Sequence, residues 1–572
     1  MGLDKIFQNQ KSGKREAHQQ TASGSYGMAA SASAEATKAG EQVLRDGGNA
    51  ADALIAMQFA LTSTEGINTG IGASGFLTYY DSEQSETKVM NGHSKAPAAV
   101  TSDLFLDEDR NVIPFDERST SPQAIGVPGI MKLMETAHKR YGTMPLDRLI
   151  DPAIKLAEKG YRVNALWERT IEQFRYRMGE EARKVFMPNG NPLKEGDTVK
   201  QPDLANALKI IRDKGFESVY EGEIADAIVA AVQDLGGQMT KKDLLDYQVI
   251  VEEPLWSGYR EFNFAFPVPP DGGGFAVAQL LKLLEPFNID QYDPRAWEKY
   301  FLLAEAMRLT QSDLAAYIGD PDFVSIPLEG LLHPDYLEER QSLINFKYRS
   351  ERMEFGDPWK YQDGKPNRLI RQESAEQGME TTHFTAVDCW GNVAACTSSI
   401  ERMFGTGIMV PGYGFLLNND LTDFSPKPGG ANEPDGSKRP VSSKSPTIGF
   451  HDGKPFFTLG SPGGFTIIAS VLQVLLNVVD HKMDLKEAIA EPRIYISADL
   501  SVQWEDGIAE AAKEKLNSIG YKVDTGYKVK TSDSRIGDVQ AILINPSTGY
   551  MYGAADSPRP GMAGGPEELP KK

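Results

Sequence analysis

A threonine just before one strand and a serine at the end of the next could form a hydroxyl pair. The run Thr381-Thr382-His383 opens the strand-like segment HFTAVD, and the segment NVAACTSS returns after the short connection CWG. If residue 388 pairs with residue 392, Thr381 lies opposite Ser399, or one position away if Gly391 forms a bulge. Facing side chains of antiparallel strands reach each other for hydrogen bonding. The plain alternative is a Thr–Ser pair at a sheet edge that has no function.

A second feature is the run FFTLGSPGGFTIIAS, in which a strand, a glycine-rich turn and a helix follow one another. Backbone N–H groups at the start of a helix have no partner within the helix. Such donors can stabilise a developing oxyanion, which is often the largest single contribution to catalysis. An ordinary strand-to-helix turn would explain the same residues.

The segment before Thr381 bears on whether its hydroxyl could react. A threonine hydroxyl inside a chain is a weak nucleophile, whereas an α-amino group titrates near pH 7.7–8.0 and can activate it. Residues 357–380 form a long polar connection without apolar periodicity, and such connections usually have a function or are disordered. Cleavage of the chain before Thr381 would therefore give this residue its own base.

The elements around these residues divide along the chain. Residues 33–45 and 50–61 are predicted to be helices, with Asn49 as a cap between them, and residues 121–350 are largely helical in pattern. After residue 380 the pattern predicts strands at HFTAVD, NVAACTSS, KPFFTLG and GDVQAILI, and helices at FTIIASVLQVLLNVV and DLKEAIAE. Outer helices around a strand-rich middle indicate an α+β fold in which helices cover two packed sheets.

One glycine motif invites a different interpretation. Residues 70–75 match G-x-G-x-x-G, but a helix precedes the motif and a strand-like run follows it, which is the wrong context for dinucleotide binding. The motif instead predicts a tight loop where backbone segments pack closely.

Composition excludes several classes of protein. The 572 residues carry a net charge of -20, which argues against binding to nucleic acid or to an anionic membrane. The two cysteines, Cys389 and Cys396, cannot build a disulfide scaffold or a cysteine-based zinc site. The scattered histidines suggest no metal site, and no cofactor is expected. The N-terminus lacks an apolar signal region, and residues 465–479 are too short to span a bilayer, so a cytoplasmic location is expected.

The motifs TTHFTAVDCWGN, GFLLNNDLTDFSPKPGG, KRPVSSKSPT and GSPGG, preceded by GGNAADA, GIGASGF and PPDGGG, resemble those of the γ-glutamyltransferase family. Its members are N-terminal-nucleophile hydrolases that cleave themselves before a threonine. The resemblance implies a four-layer αββα sandwich and cleavage between Glu380 and Thr381. It also implies a polar tail (1–24), a large segment (25–380) and a small segment (381–572), with the two cleavage fragments remaining associated.

The resemblance also implies roles for individual residues. Thr381 would be the nucleophile and its amine the base, and Ser399 stands where the family usually has a second threonine. Gly463 and Gly464 match the glycines of the oxyanion hole. The expected reaction forms an ester on Thr381 from a small γ-glutamyl or acyl-amide substrate, and water or an amine then attacks the ester. His383 is expected to be structural.

The substrate-binding positions depart from the family pattern. His93 stands where the family has the arginine that binds the glutamate carboxylate. Glu401 replaces an asparagine, and Asp420 replaces a glutamine or glutamate. Asp423, which would hold the amino group of the substrate, is kept.

Ser442 and Ser443 are kept as well. The extra carboxylates would repel a glutamyl carboxylate unless a cation such as Lys95 or Arg402 compensates for them.

Three alternatives to a γ-glutamyl amidohydrolase stay open. The altered pocket is compatible with an acylase that removes a β-lactam side chain. The short stretch KPGGANEPDGSKRP indicates that the family's lid loop is absent, which would admit polymeric substrates such as poly-γ-glutamate. The lost arginine is compatible with a catalytically inert homologue that only binds ligands.

Overall fold

The computed structural model describes residues 2–11, 20–350, 353–364, 380–496, 501–523, 536–556 and 559–569. Most of the polar connection expected before Thr381, residues 365–379, lies outside the described residues.

The helices of the described chain are short to medium in length and lie mostly before residue 342. They are α1 (Gly2–Gln8), α2 (Ala34–Arg45), α3 (Ala50–Thr64), α4 (Phe115–Arg118), α5 (Ile130–Tyr141), α6 (Leu146–Lys159), α7 (Ala165–Phe174), α8 (Glu180–Phe186), α9 (Pro202–Lys214), α10 (Glu223–Gln233), α11 (Lys241–Leu245), α12 (Gly272–Leu284), α13 (Trp297–Tyr317), α14 (Leu328–Leu331), α15 (Pro334–Gln341), α16 (Thr466–Val479), α17 (Leu485–Ala490) and α18 (Glu510–Ser518).

The strands come from both halves of the chain. They are β1 (Thr21–Gly24), β2 (Gly27–Ser31), β3 (Ser74–Asp81), β4 (Glu86–Gly92), β5 (Tyr161–Arg162), β6 (Thr198–Val199), β7 (Ile250–Glu252), β8 (Leu255–Tyr259), β9 (Phe262–Phe266), β10 (Thr382–Asp388), β11 (Val393–Ser399), β12 (Thr447–His451), β13 (Lys454–Gly460), β14 (Ile494–Ile496), β15 (Val502–Trp504), β16 (Gln540–Ile544), β17 (Met551–Ala555) and β18 (Met562–Gly564).

Two antiparallel sheets dominate the described structure, and each has seven strands. The first sheet has the order β1-β17-β16-β13-β12-β9-β8, and the second has the order β18-β2-β10-β11-β3-β4-β7. An apolar cluster that includes Met28, Val387, Ala395, Ile448 and Ile542 fills the space between the sheets. The sheets therefore pack face to face.

Helices cover the outer face of each sheet. Helices α2, α3, α5, α6 and α9 pack with Phe384, Ala386 and Cys396 of the second sheet. Helices α12, α13 and α16 pack with Phe264 and Leu459 of the first sheet. The described chain is thus a four-layer αββα sandwich, and the predicted fold class is confirmed.

Alternation along β10 and β11 decides which side chains face the other sheet. Phe384 and Ala386 face the helices, whereas Thr385 meets Thr458 of β13 in the first sheet, with 2.9 Å between their hydroxyl oxygens. Successive strand residues point to opposite faces. Odd-numbered positions of this strand therefore face the space between the sheets, and Thr381 continues that series one residue before β10.

Local signals account for the helices predicted near the N-terminus. Asn49 caps α3 in a reciprocal capping box with Asp52, and Ser33 caps α2. Within the predicted polar tail, α1 buries Ile6 completely and β1 pairs with β17. None of the helices that the structure describes is both long and apolar enough to cross a membrane.

The G-x-G-x-x-G motif lies where two backbone segments pack closely, as the sequence predicted. Gly72 forms a parallel bridge with Leu417, and a Cβ atom at Gly72 would lie 2.2 Å from the carbonyl oxygen of Leu416. No side chain fits there unless the backbone shifts, because real Cβ atoms do not approach so closely.

We expect Gly72→Ala to lower the free energy of unfolding by about 1–3 kcal/mol, the usual cost of overpacking. The change is measured as a lower thermal midpoint at a fixed scan rate. Gly24→Ala is the matched control, because its Cβ would lie 3.8 Å from the carbonyl oxygen of Pro566, an ordinary contact. Equal midpoints for the two variants would contradict the packing interpretation.

Candidate active site

The hydroxyl groups of Thr381 and Ser399 are paired as the hairpin register predicted. β10 pairs with β11 so that Thr382 faces Ser398, which places Thr381 opposite Ser399 without a bulge. The two hydroxyl oxygens are 3.0 Å apart. Both residues are buried, at 4% and 1% exposure, so this contact is shielded from bulk water.

Both hydroxyl groups lie against the peptide bond that joins Glu380 to Thr381. The Thr381 Oγ1 is 2.7 Å from the carbonyl oxygen of Glu380, and the Ser399 hydroxyl donates to the same oxygen over 2.9 Å. The amide of Glu401 donates to Ser399 Oγ over 2.9 Å and so orients the serine hydroxyl proton towards the carbonyl. This arrangement polarises one specific carbonyl beside a hydroxyl group.

Arg559 holds the same peptide segment from the other side. Its guanidinium donates to the carbonyl oxygen of Thr381 over 2.7 Å, to Glu380 over 2.9 Å and to Glu65 over 3.1 Å. Asp538 lies 3.7 Å from its Nε. Glu65 and the Glu380–Thr381 segment are more than 170 residues from Arg559 in sequence. The sequence motifs pointed to Glu380 and Thr381, but sequence reasoning missed Glu65, Asp538 and Arg559.

Burial dominates the electrostatics of the Arg559 cluster. It raises the pKa of Glu380 to about 7, although Arg559 opposes the rise. Burial also raises the pKa values of Glu65 and Asp538, although the positive charge of Arg559 lowers both of them. The Arg559 guanidinium therefore does not fully offset the cost of burying three carboxylates.

The turn Ser461–Gly464 lies at the same end of the sandwich. A Cβ at Gly460 would lie 2.3 Å from the ring of His383, and Ser461 Oγ accepts from the amide of Asp538 over 3.0 Å. Gly463 and Gly464 have φ values of 130° and 58°, which favour glycine. Among the described residues, neither of their amides has a hydrogen-bond acceptor, so both remain available to an oxyanion.

His383 has the environment of a structural residue. It is fully buried, its Nδ1 is 2.9 Å from Thr397 Oγ1, and burial lowers its pKa to about 3. A neutral imidazole of this kind is a poor general base at neutral pH.

A group of buried carboxylates lies next to the hydroxyl pair. Asp423 and Glu401 are hydrogen-bonded through their side chains, and burial, reinforced by the Glu401 charge, raises the pKa of Asp423 well above its ordinary value. Asp420 accepts from the hydroxyls of Ser74 and Ser94, and burial raises its pKa as well. This candidate substrate-binding region, called the pocket below, is therefore rich in carboxyl groups.

The remaining predicted substrate residues border this pocket. Asn432 donates to the carbonyl oxygen of Asp423 over 2.7 Å and accepts from the amide of Val441 over 2.9 Å, which brings Ser442 and Ser443 towards Asp423. A Cβ at Gly273 would lie 2.2 Å from the carbonyl oxygen of Ser443, so this glycine of the PPDGGG motif lets α12 support the serine pair.

His93 lies near Asp420, because the Ser74 hydroxyl contacts both side chains, but it is not a cation. It is fully buried, and its Nδ1 is 3.1 Å from Ser74 Oγ. Burial lowers its pKa well below the ordinary value, and the nearby charges of Lys444 and Arg439 lower it further. The role of His93 in substrate binding stays a prediction.

Comparisons with known proteins agree with this geometry. The family model described as Gamma-glutamyltranspeptidase matches residues 36–565. The chain belongs to the gamma-glutamyltranspeptidase family. The predicted resemblance is thereby confirmed, and the chain is an enzyme of this family's hydrolase and transferase type.

Both hydrolases and acylases are among its relatives. The glutathione hydrolase proenzyme of Bacillus subtilis (strain 168) is 48% identical over 94% of this chain and 91% of its own length. The Acylase ACY 1 proenzyme of Pseudomonas sp. (strain SE83) is 33% identical over 93% and 92% of the two chains. The crystal structure of cephalosporin acylase from Bacillus halodurans superposes with a TM-score of 0.85 at 26% identity, and it covers 98% of each chain.

Within this family fold, the structure brings together most of the predicted site residues. A chain of contacts runs from Thr381 through Ser399 and Glu401 to Asp423. Gly463 and Gly464 lie at the same end of the sandwich. The predicted compensating cation Arg402 stacks on Phe115, 5.2 Å from the ring centre.

The raised pKa of Glu380 predicts how the stability of the uncleaved chain depends on pH. A carboxyl group whose folded pKa exceeds its unfolded value near 4.5 stabilises the fold at low pH. That contribution is lost as pH rises through about 7. Glu380→Gln should therefore remove part of the fall in the free energy of unfolding between pH 5 and 7.5, by up to about 3 kcal/mol.

The measurement is denaturant unfolding at both pH values, with Thr381→Ala in every chain so that the peptide bond stays intact. Glu221→Gln, at an exposed position, is the control and should leave the pH dependence unchanged. Parallel stability curves for Glu380→Gln and its parent would contradict the assignment.

Proposed function

We propose that the chain cleaves itself between Glu380 and Thr381 and then acts on γ-glutamyl amides of the glutathione type, transferring the acyl group to water or an amine. The observation that carries this proposal is the contact of the Thr381 and Ser399 hydroxyls with the carbonyl oxygen of Glu380, at 2.7 and 2.9 Å. The family relationship and the relatives named as proenzymes support it.

In the first step, Thr381 Oγ1 attacks the carbonyl carbon of Glu380. The bond from that carbon to the Thr381 nitrogen breaks, and the nitrogen takes up the proton that the hydroxyl loses. Ser399 stabilises the oxyanion by donating its hydrogen bond, and Arg559 keeps the Thr381 carbonyl in place. Water then hydrolyses the ester. This step releases Glu380 with a new α-carboxyl group at the end of its chain and leaves Thr381 with a free amine and a free hydroxyl.

In turnover, the new amine accepts the Oγ1 proton while the hydroxyl attacks the γ-carbonyl of the donor. The amides of Gly463 and Gly464 stabilise the oxyanion, and the departing amine receives the proton. Asp423, whose side chain is hydrogen-bonded to Glu401, receives the ammonium group of the donor. Water or an amine then attacks the Thr381 ester and regenerates the hydroxyl.

The sheet topology supports continued association of the fragments 1–380 and 381–572. β10 and β11 come from the small fragment, yet they lie between β2 and β3 of the large fragment in the second sheet. Separating the fragments would expose these strand edges and the apolar faces of both sheets, at a large cost in free energy.

Thr381→Ala should abolish both cleavage and turnover, because the variant lacks the attacking oxygen in each reaction. A denaturing gel should show one 572-residue chain, and release of an anilide from a γ-glutamyl donor should be absent. Thr382→Ala is the matched control and should behave like the wild type, since the Thr382 hydroxyl has no hydrogen-bond partner in the described structure. Wild-type activity in Thr381→Ala would overturn the proposal.

Ser399→Ala should slow cleavage by roughly 100-fold, the usual effect of losing one oxyanion donor. The rate is followed on a denaturing gel after purified precursor is brought to reaction conditions. Ser398→Ala is the matched control, because it removes a hydroxyl of the same strand whose contact is Thr69 and not the Glu380 carbonyl. This variant should cleave itself at nearly the wild-type rate. Unchanged kinetics in Ser399→Ala would contradict the assigned role.

An acylase is the second candidate function, because acylases are among the relatives and a neutral His93 lies where the family has an arginine. Turnover of a γ-glutamyl anilide and of a glutaryl anilide, which lacks the α-amino group, separates the two candidates. Preference for the glutaryl compound would favour the acylase. Release of glutamate from poly-γ-glutamate would instead identify a polymeric donor.

A further inference from the structure

The pocket described above lacks an assigned partner for the carboxylate of its donor. Three carboxyl groups, those of Glu401, Asp420 and Asp423, are at most 5% exposed. Bringing a donor carboxylate next to them is unfavourable unless a cation is close. The neutral His93 cannot supply that charge. Arg402 stacks on the rings of Phe115 and Phe174, and its charge acts on Glu380 beside the scissile bond.

Lys444 is a largely buried lysine whose charge acts on the carboxyl groups of Asp271, Asp420 and Asp423. It is 4% exposed, and among the described residues no hydrogen bond or ion pair involves its ammonium group. Its amide donates to Ser442 Oγ over 3.1 Å, so it follows directly on the predicted serine pair. An ammonium group that makes no direct hydrogen bond within the fold can donate charge-assisted hydrogen bonds to a bound carboxylate.

Several contacts place the segment of Lys444 against the pocket. The amide of Ala96 donates to the carbonyl oxygen of Lys438 over 2.8 Å, which holds residues 438–444 beside the segment of His93. Asn432 joins Val441 to Asp423 through one side chain. The segment therefore lies beside both the histidine and the carboxyl groups.

The electrostatics agree with this placement. Burial raises the pKa of Asp420, and the Lys444 charge opposes that rise. Burial and the Glu401 carboxylate raise the pKa of Asp423, and Lys444 opposes that rise as well. Burial also raises the pKa of Asp271, and Lys444 opposes that rise too. Asp420 Oδ1 and Asp271 Oδ2 are both buried without a hydrogen-bond partner, so neither of these oxygens contacts the lysine directly.

We propose that Lys444 is a specificity-determining residue whose ammonium group receives the carboxylate of the acyl donor, next to Ser442 and Ser443. The inference rests on the proposed function. It gives the carboxylate and the ammonium group of a γ-glutamyl donor separate partners, Lys444 and Asp423. It also accounts for the neutral His93, because Lys444 in the neighbouring segment 438–444 supplies the positive charge that the donor carboxylate needs.

The test compares three anilides on matured enzyme. The γ-glutamyl anilide carries the carboxylate and the amine, the glutaryl anilide carries only the carboxylate, and the 4-aminobutanoyl anilide carries only the amine. Lys444→Met should lower kcat/KM for the two carboxylate-bearing donors by about 30-fold or more, as expected when one partner of a buried charge pair is lost. The 4-aminobutanoyl donor should change by less than about twofold.

Lys438→Met is the matched control, because it removes a second buried lysine of the same segment, whose ammonium donates to the carbonyl oxygen of Ala431 over 2.9 Å. It should leave the ratios among the three donors unchanged. If Lys444→Met does not fold, as judged by cleavage on a gel, Lys444→Gln should show the same selective loss.

Equal losses for all three donors, or a selective loss in Lys95→Met but not in Lys444→Met, would overturn this inference alone. Wild-type enzyme that cleaves itself and turns over none of the three anilides would overturn it together with the proposed function.

Discussion

The antiparallel register of β10 and β11 is the constraint on which the rest of the site depends. It places Thr381 opposite Ser399, and strand alternation directs both side chains into the space between the two sheets. A slip of one residue would turn Thr381 towards the helices and away from Ser399. The helices, the glycine turn and the Arg559 cluster then close this end of the sandwich around one peptide bond.

Burial sets the strength of the hydrogen bonds and the pKa values of the carboxyl groups at this end of the sandwich. Inside the sandwich, hydrogen bonds to the Glu380 carbonyl are shielded from water, and carboxyl groups such as Glu380 and Asp423 tend towards their protonated forms. The cations are few, so the position of each one matters. Arg559 binds the carbonyl oxygen of Thr381, and Lys444 follows Ser442 and Ser443 near the buried carboxyl groups.

The shared fold leaves room for different donors. The glutathione hydrolase and acylase relatives cover almost the whole chain, so the sandwich itself does not decide between their reactions. Under the proposed function, pocket residues such as His93, Glu401 and Lys444 make that decision. Charge at these positions can change without disturbing the sheets, because they lie on strand ends and loops.

Sequence alone determined the features that depend on local periodicity and turn geometry. These are the strands β10 and β11, their register, the cap at Asn49 and the packing role of Gly72, because neighbouring residues specify each of them. Ordered motifs also determined the family and the αββα class. Only the tertiary structure decided that Arg559, which also binds Glu65, holds the Glu380–Thr381 segment and that burial leaves His93 neutral near Lys444. These facts depend on burial and on contacts between distant segments, which no local pattern of residues encodes.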